Sequence, residues 1–143
     1  MIQGMEVVRL NAANAATAAT ELESLYSSGP IDPAGLAKAL SDADFVLLVA
    51  RANEDAVGYL HGTLMHRVDG GRMLLVYDLE VEQSAQRSGV GTALMEEARR
   101  IGRTAGTSET WLVTEGDNTP ANAFYEKLGG TAFAALGYEW REA

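Results

Sequence analysis

Three groups of residues in this 143-residue chain have types and spacings that could do chemistry. The first is Gln86-Arg87-Ser88-Gly89-Val90-Gly91, where an apolar strand gives way to an amphipathic helix. Backbone N–H groups at a helix start, two of them uncrowded by side chains, make a site for phosphate oxygens. The second runs from Asn118-Thr119-Pro120-Ala121 into Phe124-Tyr125 and places a phenol on a short helix. The third is Asp78 and Glu80, two carboxylates at the end of an otherwise apolar strand. Taken alone, the hexapeptide is equally well read as a plain strand-to-helix turn with convenient glycines. Two better-known glycine loops are excluded. A P-loop needs Gly-Lys-Ser/Thr, whereas Gly91 is followed by Thr92-Ala93. A dinucleotide fingerprint needs a small residue where Leu94 stands, near the start of a βαβ unit.

The elements that must carry these groups follow from periodicity. Met5 to Leu10 reads as an opening strand, and Asn11 to Ser28 as an alanine-rich helix stopped by Gly29-Pro30. Asp32 caps a second helix through Leu40, with Pro33 at its first position. Phe45 to Arg51 and Ala56 to Arg67 are strands joined by Asn53-Glu54-Asp55, and Asp69-Gly70-Gly71 turns into a third strand, Met73 to Val81. Strict alternation there puts Met73, Leu75, Tyr77, Leu79 and Val81 on one face and Leu74, Val76, Asp78 and Glu80 on the other. A helix from Gly89 to about Arg103 turns Val90, Ala93, Leu94, Ala98 and Ile101 to one side. A strand Thr110 to Thr114, a helix from Thr119 ended by Gly129-Gly130, and a final strand within Thr131 to Trp140 complete the chain. No linker or repeat divides it, so residues 1–143 read as a single α/β domain.

Composition narrows the chemistry. A hydrophobic content of 47% and a charged content of 22% are globular values. No apolar run approaches the ~20 residues of a membrane span, and the first ten residues lack a signal-peptide pattern, so the expectation is a soluble cytoplasmic protein with no membrane partner. There is no cysteine, which excludes disulfides, thiolate metal sites and a cysteine acyl-enzyme. His61 and His66 sit in no ligand-spaced motif, so no metal is expected. His61 shares a strand face with Tyr59, Thr63 and Met65, where it either approaches a substrate or serves as a satisfied structural histidine. Twenty acids against eleven bases give a net charge of −9, which repels nucleic acid and draws cations. The same charge also serves solubility alone.

The order of elements, with Gln86 to Gly91 and Asn118 to Gly129 about 30 residues apart, resembles the GNAT (Gcn5-related) N-acetyltransferase family across nearly the whole chain. The resemblance implies a GNAT fold. Its centre is a mixed, mostly antiparallel twisted sheet of about six to seven strands flanked by about four helices, splayed between the 73–81 and 110–114 strands. It also implies acetyl-CoA as cosubstrate. The pyrophosphate arm would lie on the N–H groups of Arg87, Ser88, Gly89, Val90 and Gly91, within a turn opened by Gln86 and extended by the Thr92 hydroxyl. The pantetheine arm would pair with backbone groups of Leu79 and Val81, one strand N–H polarising the thioester carbonyl. Asn118 would hydrogen-bond the cofactor.

Transfer of an acetyl group to an amine needs a neutral nucleophile, an oxyanion stabiliser and a proton for the departing thiolate. Tyr125 matches the family's general acid, and the motif favours that role over a core aromatic on the Ala121–Leu128 stripe. A phenol of pKa ~10 protonates a thiolate whose conjugate acid lies near ~8.5 only with help from position and charge. Asp78 and Glu80 are the candidate bases or ammonium holders, with Asp78 the better of the two, since Glu80 reads more readily as solvent-exposed beyond the sheet edge. Glu115 and Asp117 either add charge to the acceptor pocket or stand as exposed loop acids. Tyr77-Asp78-Leu79 looks like the aminoglycoside 3-N-acetyltransferase branch, in which that aspartate contacts the acceptor amine. The expectation is therefore a cationic small-molecule amine acceptor, attacked directly in a ternary complex. Polyamines, amino acids and peptide amines are the alternatives, as is a non-catalytic acyl-CoA-binding module. Family members are often homodimers, which makes a homodimer a further expectation.

Overall fold

A computed structural model describes residues 4–142. These divide into two compact units, one ending at Val113 and the other beginning at Thr114. The first unit holds β1 (Met5–Arg9), α1 (Ala15–Leu22), α2 (Pro33–Leu40), β2 (Phe45–Ala52), β3 (Asp55–His66), β4 (Arg72–Val81), α3 (Val90–Thr104) and β5 (Glu109–Leu112). The second holds α4 (Thr119–Lys127).

The strands lie in the order β1-β2-β3-β4-β5. The first three pairings are antiparallel and β4–β5 is parallel, the mixed and mostly antiparallel sheet that the sequence implies. Among the described residues five strands form rather than six to seven. The expected last strand is absent: residues 131–142 adopt neither helix nor strand, and their side chains are exposed. Leu136, Tyr138 and Trp140 do alternate, but Gly137 and the alanines at 132, 134 and 135 are poor strand formers, and no ladder partner holds the segment extended. The helix expected over residues 11–28 is also shorter. Asn11 and Asn14 form a reciprocal capping box around a 3-10 turn at Ala12–Asn14, and α1 then stops at Leu22, before the serines and Gly29. At α2, Asp32 accepts the N–H groups of Ala34 and Gly35, as its position before Pro33 predicts.

Each face of the sheet buries one layer. On one side Val46, Leu48, Leu60 and Leu74 pack with Val90, Leu94, Ala98 and Ile101, the inward stripe of α3. On the other, Leu47, Val49 and Tyr59 form a cluster with Leu10, Ala15, Ala18 and Leu22 beneath α1, and with Leu40 of α2. Full burial of each large aliphatic side chain contributes about 1.5–3 kcal/mol.

One irregularity sets the geometry of everything downstream. Gly62 pairs with Val76, and His61 pairs with Asp78, so Tyr77 is an extra residue with no partner in β3. This β-bulge reverses the alternation of β4 from that point. Leu79 stands opposite Leu60, on the α3 face with Leu74 and Val76. Asp78 and Glu80 stand opposite His61 and Tyr59, on the face covered by α1 and α2. The expectation that Asp78 and Glu80 share a face with Leu74 and Val76 is thus corrected, and the cause is the single residue Tyr77, which is 74% exposed.

Gly62 is the glycine that this arrangement requires, since an added Cβ would lie 2.8 Å from the backbone oxygen of Leu75. Gly62→Ala is expected to destabilise the fold by about 1–3 kcal/mol, because backbone cannot give way as a side-chain tip can. Urea denaturation of both proteins measures this, and an unchanged midpoint would show that the ladder is looser there than the register implies.

Candidate active site

The end of β4 presents an open backbone edge. Its ladder with β5 covers only Met73–Val76 against Glu109–Leu112, so β4 runs on past the end of β5 to Val81. Just beyond the strand, the Glu82 N–H donates to the Val57 carbonyl at 2.8 Å, toward β3. Backbone groups alternate sides along a strand, so those of Asp78 and Glu80 also face β3. Those of Leu79 and Val81 face the side where β5 has ended. These are the two residues whose backbone the resemblance assigns to a pantetheine arm.

From there the chain enters a tight, braced turn. The Gln86 side-chain amide donates to the Val81 carbonyl at 3.2 Å and ties the turn to the end of β4. The Ser88 hydroxyl likewise donates to the Ala85 carbonyl. Arg87 has φ +64° and Gly89 has φ +90°, both left-handed. A left-handed residue in such a turn directs successive N–H groups into one concavity, an anion-binding nest. No side chain caps the start of α3, which leaves its first N–H groups for a ligand. Val90, 1% exposed, anchors that start against the sheet, where a Cβ on Gly58 would lie 3.0 Å from Val90 Cγ1. The region therefore fits a group carrying adjacent phosphates by its donor chemistry and by the positive helix end. Thr92 lies within this first turn, partly exposed.

On the α1 and α2 face the bulge gathers a polar cluster. The Tyr59 hydroxyl donates to Asp78 Oδ2. Tyr59 is 4% exposed, and its own ionisation is pushed far above the ordinary phenol range, chiefly by burial and then by the bond to Asp78. His61 lies opposite Asp78, its ring 4.9 Å from Phe45 and 5.4 Å from Tyr77. Burial lowers the His61 pKa, and the negative charge of Asp78 opposes this. Burial raises the Glu80 pKa, and Asp78 raises it further. Asp78 and Glu80 thus come together as expected. Tyr59 was readable in sequence only as a residue on the His61 face, and nothing in the sequence marked Tyr77 as a bulge.

In the second unit, the Asn118 side-chain oxygen accepts the Ala121 N–H at 3.3 Å and so caps α4. That bond leaves the side-chain NH2 for another acceptor. Tyr125 is half-buried on α4, its ring 5.2 Å from Phe124. Gly129, at φ +93°, and the Gly130 N–H bonded to the Tyr125 carbonyl end the helix where Gly129-Gly130 predicts. Glu115 and Asp117 are exposed on the approach to α4. Among the described residues no group of three His, Cys, Asp or Glu is placed to hold a metal ion, and no helix is long and apolar enough to cross a membrane.

Comparison with known proteins bears on the fold and the family. A mycothiol acetyltransferase of Saccharomonospora viridis is 40% identical over 93 residues, which are 62% of this chain and 30% of that protein. The chain spans about a third of the length of the curated relatives it matches. Among solved structures, an aminoglycoside acetyltransferase from an uncultured soil metagenomic sample superimposes with a TM-score of 0.88 at 22% identity, covering 97% of this chain and 99% of that one. The aminoglycoside N-acetyltransferase AAC(6')-Iy in complex with CoA gives 0.82 at 19% identity, covering 97% and 95%. At such identities these two structures establish the fold. The model of the acetyltransferase (GNAT) family matches residues 14–130, from before α1 to the end of α4, and the chain belongs to that family.

Proposed function

We propose that this chain is an acetyl-CoA-dependent N-acetyltransferase acting on a primary amine of a cationic small molecule. The observation that carries this reading is the path from the β4 backbone edge at Leu79 and the Val81 N–H into the nest at Arg87–Gly91, beside a carboxylate that accepts a hydrogen bond. The turn N–H groups from Arg87 to Gly91, with the Thr92 hydroxyl, hold the pyrophosphate arm. Leu79 and Val81 pair with the pantetheine arm, and Asn118 adds a hydrogen bond through its side-chain NH2.

Acetyl-CoA supplies the activated acyl carbon, and the chain's own groups do the rest. Asp78 holds the acceptor ammonium and takes one proton from it, directly or through water, so that a neutral nitrogen attacks the thioester carbon. A β4 N–H at the open edge stabilises the oxyanion. Tyr125 gives its phenolic proton to the sulfur as the C–S bond breaks, a role that rests on its place in the Asn118–Gly129 motif. The C–N bond replaces the C–S bond, CoA leaves as the thiol, the second proton lost by the nitrogen restores the Tyr125 phenol, and the proton taken by Asp78 passes to solvent.

Negative charge points to a cationic acceptor. Glu80 lies beside Asp78, Glu115 and Asp117 add acidic groups, and the chain carries a net charge of −9, so a polycation is drawn in. An aminoglycoside fits this field, and Tyr77-Asp78-Leu79 favours its 3-N position. Polyamines, amino acids and peptide amines share the same chemistry. The curated relatives bear the name mycothiol acetyltransferase, which supports a second reading with a different small acceptor.

Free-thiol release from acetyl-CoA, measured against aminoglycosides, polyamines, amino acids and peptides, tests the assignment. Acceptor-dependent thiol is expected with cationic amines, and mass spectrometry of the product fixes the nitrogen acetylated. No acceptor-dependent thiol from any class would turn the reading toward an acyl-CoA-binding module. Asp78→Asn is expected to lower kcat/KM for the amine by ~10²-fold or more while leaving CoA affinity near wild type. Wild-type acceptor kinetics in that variant would remove Asp78 from the site. Tyr125→Phe is expected to lower kcat by ~10²-fold at unchanged acetyl-CoA affinity, and an unchanged rate would remove the phenol from the mechanism.

A further inference from the structure

We propose that Tyr59 is a positioning residue for acceptor binding: its buried hydroxyl orients the Asp78 carboxylate as an uncompensated anion, and this selects for a cationic amine. The inference rests on the assignment of Asp78 to the acceptor amine.

The geometry of the pair is specific. Glu80, not Asp78, stands directly opposite Tyr59, yet the Tyr59 hydroxyl reaches diagonally to Asp78 Oδ2. Diagonal neighbours on adjacent strands are within reach of an aromatic side chain. The ring cannot easily move away, because it is part of the core with Leu22, Leu47 and Val49. A buried phenol without a partner would be costly, so ring and carboxylate hold each other in place. One carboxylate oxygen is thereby fixed, and the second is not needed by that bond.

The kind of donor matters more than the bond itself. A neutral O–H stabilises a carboxylate without cancelling its charge, whereas a guanidinium would compete with an incoming ammonium. The arginines of the first unit that form ion pairs do so elsewhere: Arg51 with Glu21, Arg67 with Asp69 and Glu109, Arg72 with Asp44, and Arg100 with Glu97. The groups around Asp78 are Tyr59 and His61 from β3 and Tyr77 and Glu80 from its own strand, with Tyr26, which follows α1, within electrostatic reach of Tyr59. Burial keeps the Tyr59 phenol protonated and His61 tends to stay neutral, so this cluster presents negative charge to an acceptor.

Tyr59→Phe keeps the ring and removes only the hydroxyl. With acetyl-CoA as donor, and gentamicin and spermidine as amine probes, the variant is expected to raise KM for the better amine about tenfold. Both kcat and the KM for acetyl-CoA should change less than about threefold. A KM effect confined to the amine separates orientation of the carboxylate from a general packing defect, which would also lower kcat and weaken acetyl-CoA binding. A wild-type acceptor KM would overturn the inference. Asp78→Asn, measured in parallel, separates the two claims. If that variant behaves as wild type, the Asp78 assignment itself falls. If it is impaired while Tyr59→Phe is not, only the role of Tyr59 falls. Should Tyr59→Phe fail to fold, 3-fluorotyrosine at position 59 keeps the hydroxyl and makes it a stronger donor. The KM for the same amine should then shift while the KM for acetyl-CoA does not, and an unchanged amine KM would overturn the proposal.

Discussion

The extra residue in β4 is the constraint on which the rest of this structure depends. With Tyr77 unpaired, residues on either side of it keep their hydrogen bonds to β3 but exchange faces. Leu79 can therefore continue the apolar layer under α3 while Asp78 and Glu80 turn toward Tyr59 and His61. Without the bulge, the two carboxylates would point into the layer formed by Leu60, Leu74 and Leu94, each fully buried. An ionised carboxylate there would cost several kcal/mol or be forced neutral. A single inserted residue thus reconciles a packed sheet with an acidic site on the same strand.

The same strand also supplies an edge. Pairing with β5 stops at Val76, and the chain then leaves β4 through a turn held by Gln86 and Ser88. Those two side chains bond to main-chain carbonyls, of Val81 at the end of β4 and of Ala85 in the turn, so the turn at Arg87–Gly89 is braced in the absence of a ligand. Preorganisation of this kind spares a ligand the entropy of ordering the loop. In the proposed function the positive end of α3 and the acidic cluster serve opposite charges: phosphate at the turn, ammonium near Asp78.

Much of this was legible in the sequence, and the gaps have physical causes. The glycine turn, the Asp32 cap and the Gly129-Gly130 stop were readable because each is local: backbone conformation and nearby hydrogen bonds decide them. The carboxylates were found, but their face was misassigned, because strict alternation carries no mark of a bulge at Tyr77. Tyr59 was visible only as a residue on the His61 face, since its bond to Asp78, 19 residues on, depends on the register between β3 and β4. The missing last strand illustrates the opposite failure. Leu136, Tyr138 and Trp140 have the right period, yet a strand exists only where a partner completes its ladder, and periodicity says nothing about that partner.

The most direct test of the cofactor path is a titration of the isotope-labelled protein with CoA, followed through its backbone amide resonances. The N–H groups of Leu79, Val81 and residues 87–92 should show the largest shifts, saturating together with one affinity. Saturable CoA binding that leaves those amides unmoved, or no binding at all, would contradict the assignment of β4 and its turn to acetyl-CoA.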